Sequence, residues 1–138
     1  MRPVRPARYI NPTGAPIVIA SAWTASAVDR SGQSEAERAF DRGHAVTMQP
    51  EVLLRNASRR AVVAIKLRFK ADDASHAVTI VHARLAPGAE YLYARTMTMW
   101  GDPADMRVQV LGVQFADGGT WGSLDAAIDA GQEWIATP

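Results

Sequence analysis

The sequence predicts a single all-β domain, an antiparallel sandwich of two sheets followed by a short C-terminal helix. Apolar and polar residues alternate with a period of two through the middle of the chain. Turn-forming residues separate the strand-like segments at intervals of roughly eight to twelve residues, which is typical of sandwiches. A chain of 138 residues also has the usual length of one domain and can bury a core without disulfides or a metal.

The first sixteen residues predict an extended arm. They hold four prolines and three arginines, and proline fixes φ and removes a backbone donor. After this arm, Ile17, Ile19 and Trp23 share one parity and predict the first strand, with Trp23 in the core. A second interpretation is an export signal, because the arginines precede an apolar run and Ala25-Ser26-Ala27 resembles a cleavage site.

The clearest strand signal lies in residues 61 to 70. One parity carries Val63, Ile65, Leu67 and Phe69, and the other carries Ala64, Lys66, Arg68 and Lys70. Such alternation is typical of a strand with one buried face and one solvated face. We therefore predict that the apolar set is buried and that the cations of the other parity are exposed.

Further strands are predicted over residues 51–55, 77–84, 91–100 and 106–115. The segments between and after them contain turn residues, namely Asn56-Ala57-Ser58, Leu85-Ala86-Pro87-Gly88 and Asp117-Gly118-Gly119. In the last long strand the apolar residues change parity between Val110 and Val113, which predicts a β-bulge at Leu111-Gly112. Ser123 can cap a short helix. The predicted organisation is an arm over 1–16, a sandwich over 17–122, and a helix and tail over 123–138.

Four short motifs occur in order between Val52 and Trp121. They are the Asn56-Ala57-Ser58 turn, the alternating Val63-Ile65-Leu67-Phe69 strand, the Leu85-Ala86-Pro87-Gly88 turn and the Phe115-Ala116-Asp117-Gly118 hairpin. In this combination the chain resembles bacterial immunoglobulin-like domains of the FxLYD type, over about half of its length. The resemblance implies an immunoglobulin-like sandwich, export from the cytoplasm, and a non-enzymatic role as a scaffold or recognition domain.

Composition and charge exclude several classes of function. Cysteine is absent, which excludes thiol catalysis, thiolate metal sites and disulfides. The formal net charge of +1 provides little general attraction for nucleic acid. No apolar run approaches the roughly 20 residues that a membrane-spanning helix needs. We therefore predict neither nucleic-acid binding nor a membrane span.

Candidate catalytic and metal-binding residues are few. The histidines are His44, His76 and His82, and no Gly-x-Ser-x-Gly motif is present. Asp72 and Asp73 lack the regular ligand spacing of a calcium loop. Met97 and Met99 share a strand face and could hold Cu(I), but methionine also fills cores and we predict packing. The sequence thus predicts no catalytic residue, no metal and no cofactor.

Two groups of residues could bind a partner. The first is a basic stripe on the central strand and the turn before it, which includes Arg55. The candidate ligand-binding residues of this stripe are Arg59, Arg60, Lys66, Arg68 and Lys70. They could bind an anionic glycan, a lipid headgroup or an acidic protein, although a solvated face that discourages aggregation would have the same composition. The second group is Trp23, Trp100, Trp121 and Trp134, which could stack on sugars, although we expect Trp23 and Trp121 in the core.

The two ends of the chain carry opposite charge. Three arginines lie in the first eight residues, whereas no lysine or arginine follows Arg107 and the last residues contain several carboxylates. The arm could therefore cover an edge of its own sandwich or reach a neighbouring molecule.

The leading functional hypothesis is a non-enzymatic recognition or structural module that uses its sheet face and loops to bind a protein or glycan partner. We expect it outside the cytoplasm, as a secreted, periplasmic or cell-surface domain, while the composition also fits a cytoplasmic protein. The second hypothesis is a subunit that assembles with copies of itself. A small metal carrier or a hydrolase is the third.

Overall fold

The computed structural model describes residues 4–26, 45–72, 75–100 and 105–122. The first sheet contains β1 (Val4–Pro6), β3 (Ile17–Ser26), β4 (Ala45–Asn56), β7 (Glu90–Ala94) and β8 (Met97–Trp100). The second sheet contains β2 (Arg8–Ile10), β5 (Val62–Asp72), β6 (Ser75–Leu85), β9 (Arg107–Phe115) and β10 (Thr120–Gly122). The predicted all-β fold with two sheets is confirmed, whereas the predicted helix over 123–138 lies outside the described residues.

The strand order is β1-β3-β4-β7 in the first sheet, where β8 also pairs with β4. In the second sheet the order is β10-β9-β5-β6, and β2 pairs with β9 beside β10. Every pair is antiparallel except β2 with β9, which is parallel. The chain changes sheets on both sides of β2 and again between β4 and β5, between β6 and β7, and between β8 and β9. The hairpin of β5 and β6 lies within one sheet.

The N-terminal arm pairs with both sheets of its own molecule. Strand β1 adds to the edge of β3, and strand β2 adds to β9. Between them Ala7 is buried, at 6% exposure, and its N–H donates to the carbonyl of Ala22 over 3.0 Å. The N–H of Arg8 then donates to the carbonyl of Met106 over 2.9 Å. Because both edges would otherwise expose unpaired backbone groups, the arm shields this side of the sandwich from pairing with other chains.

The core lies between the two sheets. Ile65, Leu67 and Phe69 of β5 are fully buried, as the alternation predicts. Val63 is half-buried and Val62 is buried instead, because the register of β5 shifts between Val62 and Ala64. The ring of Phe69 stacks on Tyr93 from the opposite sheet with ring centroids 5.7 Å apart, so an aromatic pair joins the sheets at the centre.

The predicted bulge in β9 is confirmed. Lys66 pairs with Gly112 and Leu67 pairs with Val110, which leaves Leu111 as the extra residue. Val110 and Val113 are therefore both buried, although three positions separate them and regular alternation would place them on opposite faces.

Another bulge, in β3, changes the orientation of a tryptophan. Ile19 pairs with Leu54 and Ser21 pairs with Leu53, so Ala20 is the extra residue. After this point Ala22 and Thr24 face the core and are buried. Trp23 consequently faces outward and is 44% exposed, so the prediction that Trp23 belongs to the core is wrong. Trp121, by contrast, is half-buried and packs against the core.

A buried asparagine organises the turn that joins the two sheets. The Asn56 side-chain amide donates to the carbonyls of Arg60 at 2.8 Å and Leu85 at 3.0 Å. Its Oδ1 accepts from the N–H of Ser58 at 2.9 Å and from the Ser58 hydroxyl at 2.7 Å. These bonds let a fully buried polar side chain satisfy backbone groups in the β4–β5 turn and at the end of β6. The adjacent Pro87-Gly88 turn has Gly88 at φ 82°, as its sequence predicts.

Candidate functional site

A row of three cations crosses the outer face of the second sheet. Lys70 of β5 pairs with Arg107 of β9, and Arg107 pairs with Arg8 of β2. Strands are spaced by about 4.8 Å, so the three backbone positions span about 10 Å. In the neighbouring row, Arg68 pairs with Gln109 and Gln109 pairs with Ile10. The pairing register alone therefore places four cations from three strands on one surface.

This surface is a groove with a volume of about 550 Å³. Its described lining consists of Arg8, Tyr9, Ile10, Arg68, Lys70, Arg107, Val108 and Gln109. No carboxylate belongs to that lining, although it contains four cations. Arg8 and Arg107 are exposed, and Arg68 and Lys70 are half-buried. We refer to these eight residues as the basic groove.

Contacts around the basic groove hold its walls in place. The Arg68 guanidinium donates from Nη2 to Oε1 of Gln109 over 3.1 Å, which links β5 to β9. Tyr9 donates its hydroxyl to the carbonyl of the bulged Ala20 over 3.4 Å, which links the arm to the first sheet. Tyr9 and Ile10 remain 42% and 68% exposed, so apolar surface adjoins the cations.

The row places like charges on neighbouring strands. Like charges that are directly opposite on neighbouring strands destabilise a sheet by several tenths of a kcal/mol up to about 1 kcal/mol per pair. Arg107 has such a neighbour on each side, Lys70 and Arg8. An anion that lies across the row would relieve this repulsion and form charge-assisted hydrogen bonds at the same time.

The structure divides the predicted ligand-binding residues into three sets. Arg68 and Lys70 line the basic groove. Arg59 and Arg60 lie in the turn before β5, and the start of β5 is about 27 Å along the strand from Lys70 at 3.4 Å per residue. Lys66 lies between Arg68 and that turn but has no exposed surface.

The prediction that Lys66 faces solvent is wrong. Its backbone has the outward parity, between the inward-facing Ile65 and Leu67. Its partner on β9 is Gly112, which has no side chain to hold the lysine away from the sheet. A long aliphatic stem can lie along such a surface, and alternation alone does not reveal what encloses it.

Arg60 is held by neighbours in a second turn. Its guanidinium lies 3.9 Å from the centre of the Phe115 ring and makes two hydrogen bonds to Asp117. The Asp117 pKa is lowered, first by the hydrogen bond from Arg60 and then by the N–H of Gly119. These contacts assign Arg60 a structural role in the β9–β10 turn.

Sequence reasoning found Arg68 and Lys70 but missed the other two cations of the basic groove, Arg8 and Arg107. Arg8 belongs to the arm, Arg107 and Gln109 begin the last long strand, and each is an unremarkable polar residue in its own segment. The parallel pairing of β2 with β9 brings them beside Lys70. The only local signal is the spacing of Arg107 and Gln109, which predicts that the two side chains share an outward face.

The other chemical candidates do not converge in the part of the chain that the structure describes. His82 is exposed on β6, and no group of three histidine or acidic side chains that could hold a metal is found among the described residues. Met97 is half-buried and packs against the core, as expected of a core filler. His44, Asp73 and Trp134 lie outside the described residues, as do the side chains of Asp72, His76, Met99 and Trp100.

No protein-family model matches the chain, and no curated protein shows significant similarity to it. Across the described residues there is also no helix with the length and apolar character needed to span a bilayer.

Proposed function

We propose that this protein is a non-enzymatic recognition module outside the cytoplasm, and that its basic groove binds an acidic glycan. The observation that carries the proposal is the row formed by Lys70, Arg107 and Arg8 on three adjacent strands. A ligand with repeated carboxylate or sulfate groups can contact several of these cations at once, which a single isolated charge cannot do.

A glycan fits the groove better than a compact ion does. The cations occupy two rows, and the exposed parts of Tyr9 and Ile10 adjoin them. Sugar rings present apolar faces that pack on such side chains, while their acidic substituents can reach Arg8 and Arg107. Arg8 and Arg107 are exposed on the face of the sheet, so a chain longer than one sugar can contact both.

The immunoglobulin-like classification is part of the proposal. It is supported by the antiparallel pairs β3–β4 and β5–β6 and by the repeated changes of sheet after β4, β6 and β8. We propose the corresponding division into an arm over 1–16, a sandwich over 17–122 and a C-terminal segment over 123–138. The side chains of the basic groove bind anions but do not form a pair of nucleophile and base, so we assign no catalytic step to them.

The proposal is tested by calorimetric titration with an oligogalacturonate and with a sulfated dextran oligomer. We expect saturable binding that weakens with salt and falls at least tenfold in the double variant Arg8→Ser/Arg107→Ser. The matched control is Arg55→Ser/Arg84→Ser, which removes two exposed arginines outside the groove and changes the net charge equally.

Equal weakening by the control would show a general effect of charge and would contradict the proposal. Titration with inorganic phosphate and with an acidic peptide distinguishes the ligand class. Binding of the peptide but of neither glycan would show that the ligand is an acidic protein and not a glycan. Binding of none of the four probes at millimolar concentration would contradict the groove as a binding site.

A further inference from the structure

The side of the sandwich opposite the arm has open edges in the described part of the chain. There, β6 ends the second sheet and β7 ends the first sheet. Ala77, Thr79 and Ala83 of β6 have the inward parity but are only half-buried. Ala77 and Ala83 pack against the core but keep part of their surface accessible at this edge.

Between His76 and His82, strand β6 lacks the features that normally protect an edge. Its residues 77–85 contain no lysine, proline or glycine, and their single formal charge is Arg84. The register with β5 shifts between Leu85 and His82 but is unbroken from His82 to His76, so a bulge is confined to the end of β6 near Arg84. A long, regular and weakly charged edge is a template for pairing with another strand.

Apolar side chains surround this edge. Ile80 is 37% exposed on β6, and Tyr91 and Leu92 of β7 are 38% and 58% exposed. Ile80, His82 and Tyr91 also line a groove of about 410 Å³ between the two edges. Pairing at β6 would therefore cover apolar surface as well as backbone donors and acceptors.

We propose that β6 is a dimer interface, where two copies of this chain pair edge to edge and antiparallel about Ile80. The second sheets of the two copies then form one continuous sheet. Such a contact is isologous, because the same strand is presented by both copies.

The charges on β6 are compatible with a second copy. In a pair centred on Ile80, Val78 lies opposite His82 of the partner subunit. Arg84 lies eight residues away from Arg84 of the partner subunit, which is about 27 Å along the strands. Arg84 lies opposite His76 of the partner subunit, so the pair opposes no two formally charged residues, and it places two isoleucines at the two-fold axis.

The arm limits the assembly to a dimer. At the far side of the second sheet, β9 is already paired with β2 and β10. Those two strands have three residues each, which is short for a stable edge pairing. Each copy thus offers one long edge of the second sheet, and pairing of two such edges leaves neither available for a third copy.

The absence of cysteine makes a direct test available. A single Ile80→Cys variant should form a disulfide-linked dimer under mild oxidation, because opposed residues in an antiparallel pair have Cα atoms about 4.5–5.5 Å apart. Thr120→Cys is the matched control, since Thr120 is exposed and lies on β10 at the other edge of the second sheet. Efficient cross-linking of Thr120→Cys, or none of Ile80→Cys, would overturn the proposal.

Analytical ultracentrifugation of the full chain provides the second test. We expect a reversible dimer whose dissociation constant rises at least tenfold in Ile80→Lys and is unchanged in Thr120→Lys at the other edge of the sheet, with circular dichroism confirming that both variants fold. A wild-type protein that stays monomeric up to about 1 mM would overturn the proposal. Pairing of β6 with a strand of a different protein, without dimerisation, would overturn it as well.

Discussion

Arg60 and Asp117 connect the two turns at one end of the sandwich by two parallel hydrogen bonds. Nη2 of Arg60 donates to Oδ1 of Asp117 over 2.6 Å, and Nε donates to Oδ2 over 3.0 Å. The same Oδ1 accepts from the N–H of Gly119 at 2.9 Å, and the Phe115 ring lies under the guanidinium. The ion pair therefore fixes the hairpin between β9 and β10 against the turn between β4 and β5.

Replacement of Asp117 by asparagine should lower the thermal midpoint at neutral pH. The Asp117 pKa is lowered in the folded state from its ordinary value of 3.8, so the carboxylate stabilises the fold above that value and loses its effect as the pH falls through the folded pKa. The difference in melting temperature between the wild type and Asp117→Asn should thus shrink below pH 3.8. Both groups are exposed, so the effect is modest and weakens with salt. Glu90→Gln, a change of the same kind at an exposed position, is the control.

Replacement of Asn56 by alanine should lower the free energy of unfolding by about 2–4 kcal/mol, because the buried carbonyl of Leu85 loses its side-chain donor and the half-buried bond to the Arg60 carbonyl is also lost. Chemical denaturation measures the change. The control is Asn11→Ala, which removes a similar pair of bonds to the backbone of Ile19. Asn11 is exposed and water can replace it, so its loss should cost about 1 kcal/mol. Equal costs at the two sites would contradict the importance of burial.

Replacement of Tyr93 by phenylalanine should leave the protein equally stable or more stable, by up to about 1 kcal/mol. The Tyr93 hydroxyl is buried and has no hydrogen-bond partner among the described residues, and an unsatisfied buried hydroxyl costs free energy. The ring remains to stack on Phe69. Tyr91→Phe, at an exposed site, should be neutral. A loss of more than about 1 kcal/mol in Tyr93→Phe would show that the hydroxyl has a partner.

Two glycines with positive φ should differ in their tolerance of alanine. Gly118 has φ 93° and open space around its Cα, so Gly118→Ala should cost about 1 kcal/mol of backbone strain. Gly122 has φ 72°, and an added Cβ would also collide with the carbonyl oxygen of Leu111. Gly122→Ala should therefore cost roughly 1–3 kcal/mol more. Urea denaturation of both variants provides the comparison, and equal costs would contradict the close approach of β10 to the bulge.

The bulges show how far the sequence predicts this fold. The one at Leu111 was predictable because large apolar residues lie on both sides of it and reveal the change of parity. At Ala20 the residues after the bulge that face the core are Ala22 and Thr24, which are small or polar, while the outward Trp23 is large and apolar. Hydrophobicity therefore predicts the wrong face, and only the pairing with β4 determines the right one.

Two of the four cations in the basic groove were predictable, for a different reason. Arg68 and Lys70 belong to one strand, whose period of two predicts their common face. Arg8 lies about a hundred residues from Arg107 in the sequence, and no local pattern indicates that β2 pairs with β9 in parallel. The burial of Lys66 was also unpredictable, because it depends on what encloses the sheet at that position and not on the alternation within β5.

The parallel pairing of β2 with β9 means that one wall of the basic groove is also part of the N-terminal arm, which pairs with both sheets. A ligand that bridges Arg8 and Arg107 connects the arm to the body of the domain, so free energy gained on binding is also free energy that holds the arm in place. Occupancy of the groove is therefore thermodynamically linked to the stability of the N-terminal segment. This segment should resist proteolysis, and detachment under an applied force, better when the ligand is bound. The domain would be hardest to open from this end when its ligand is present.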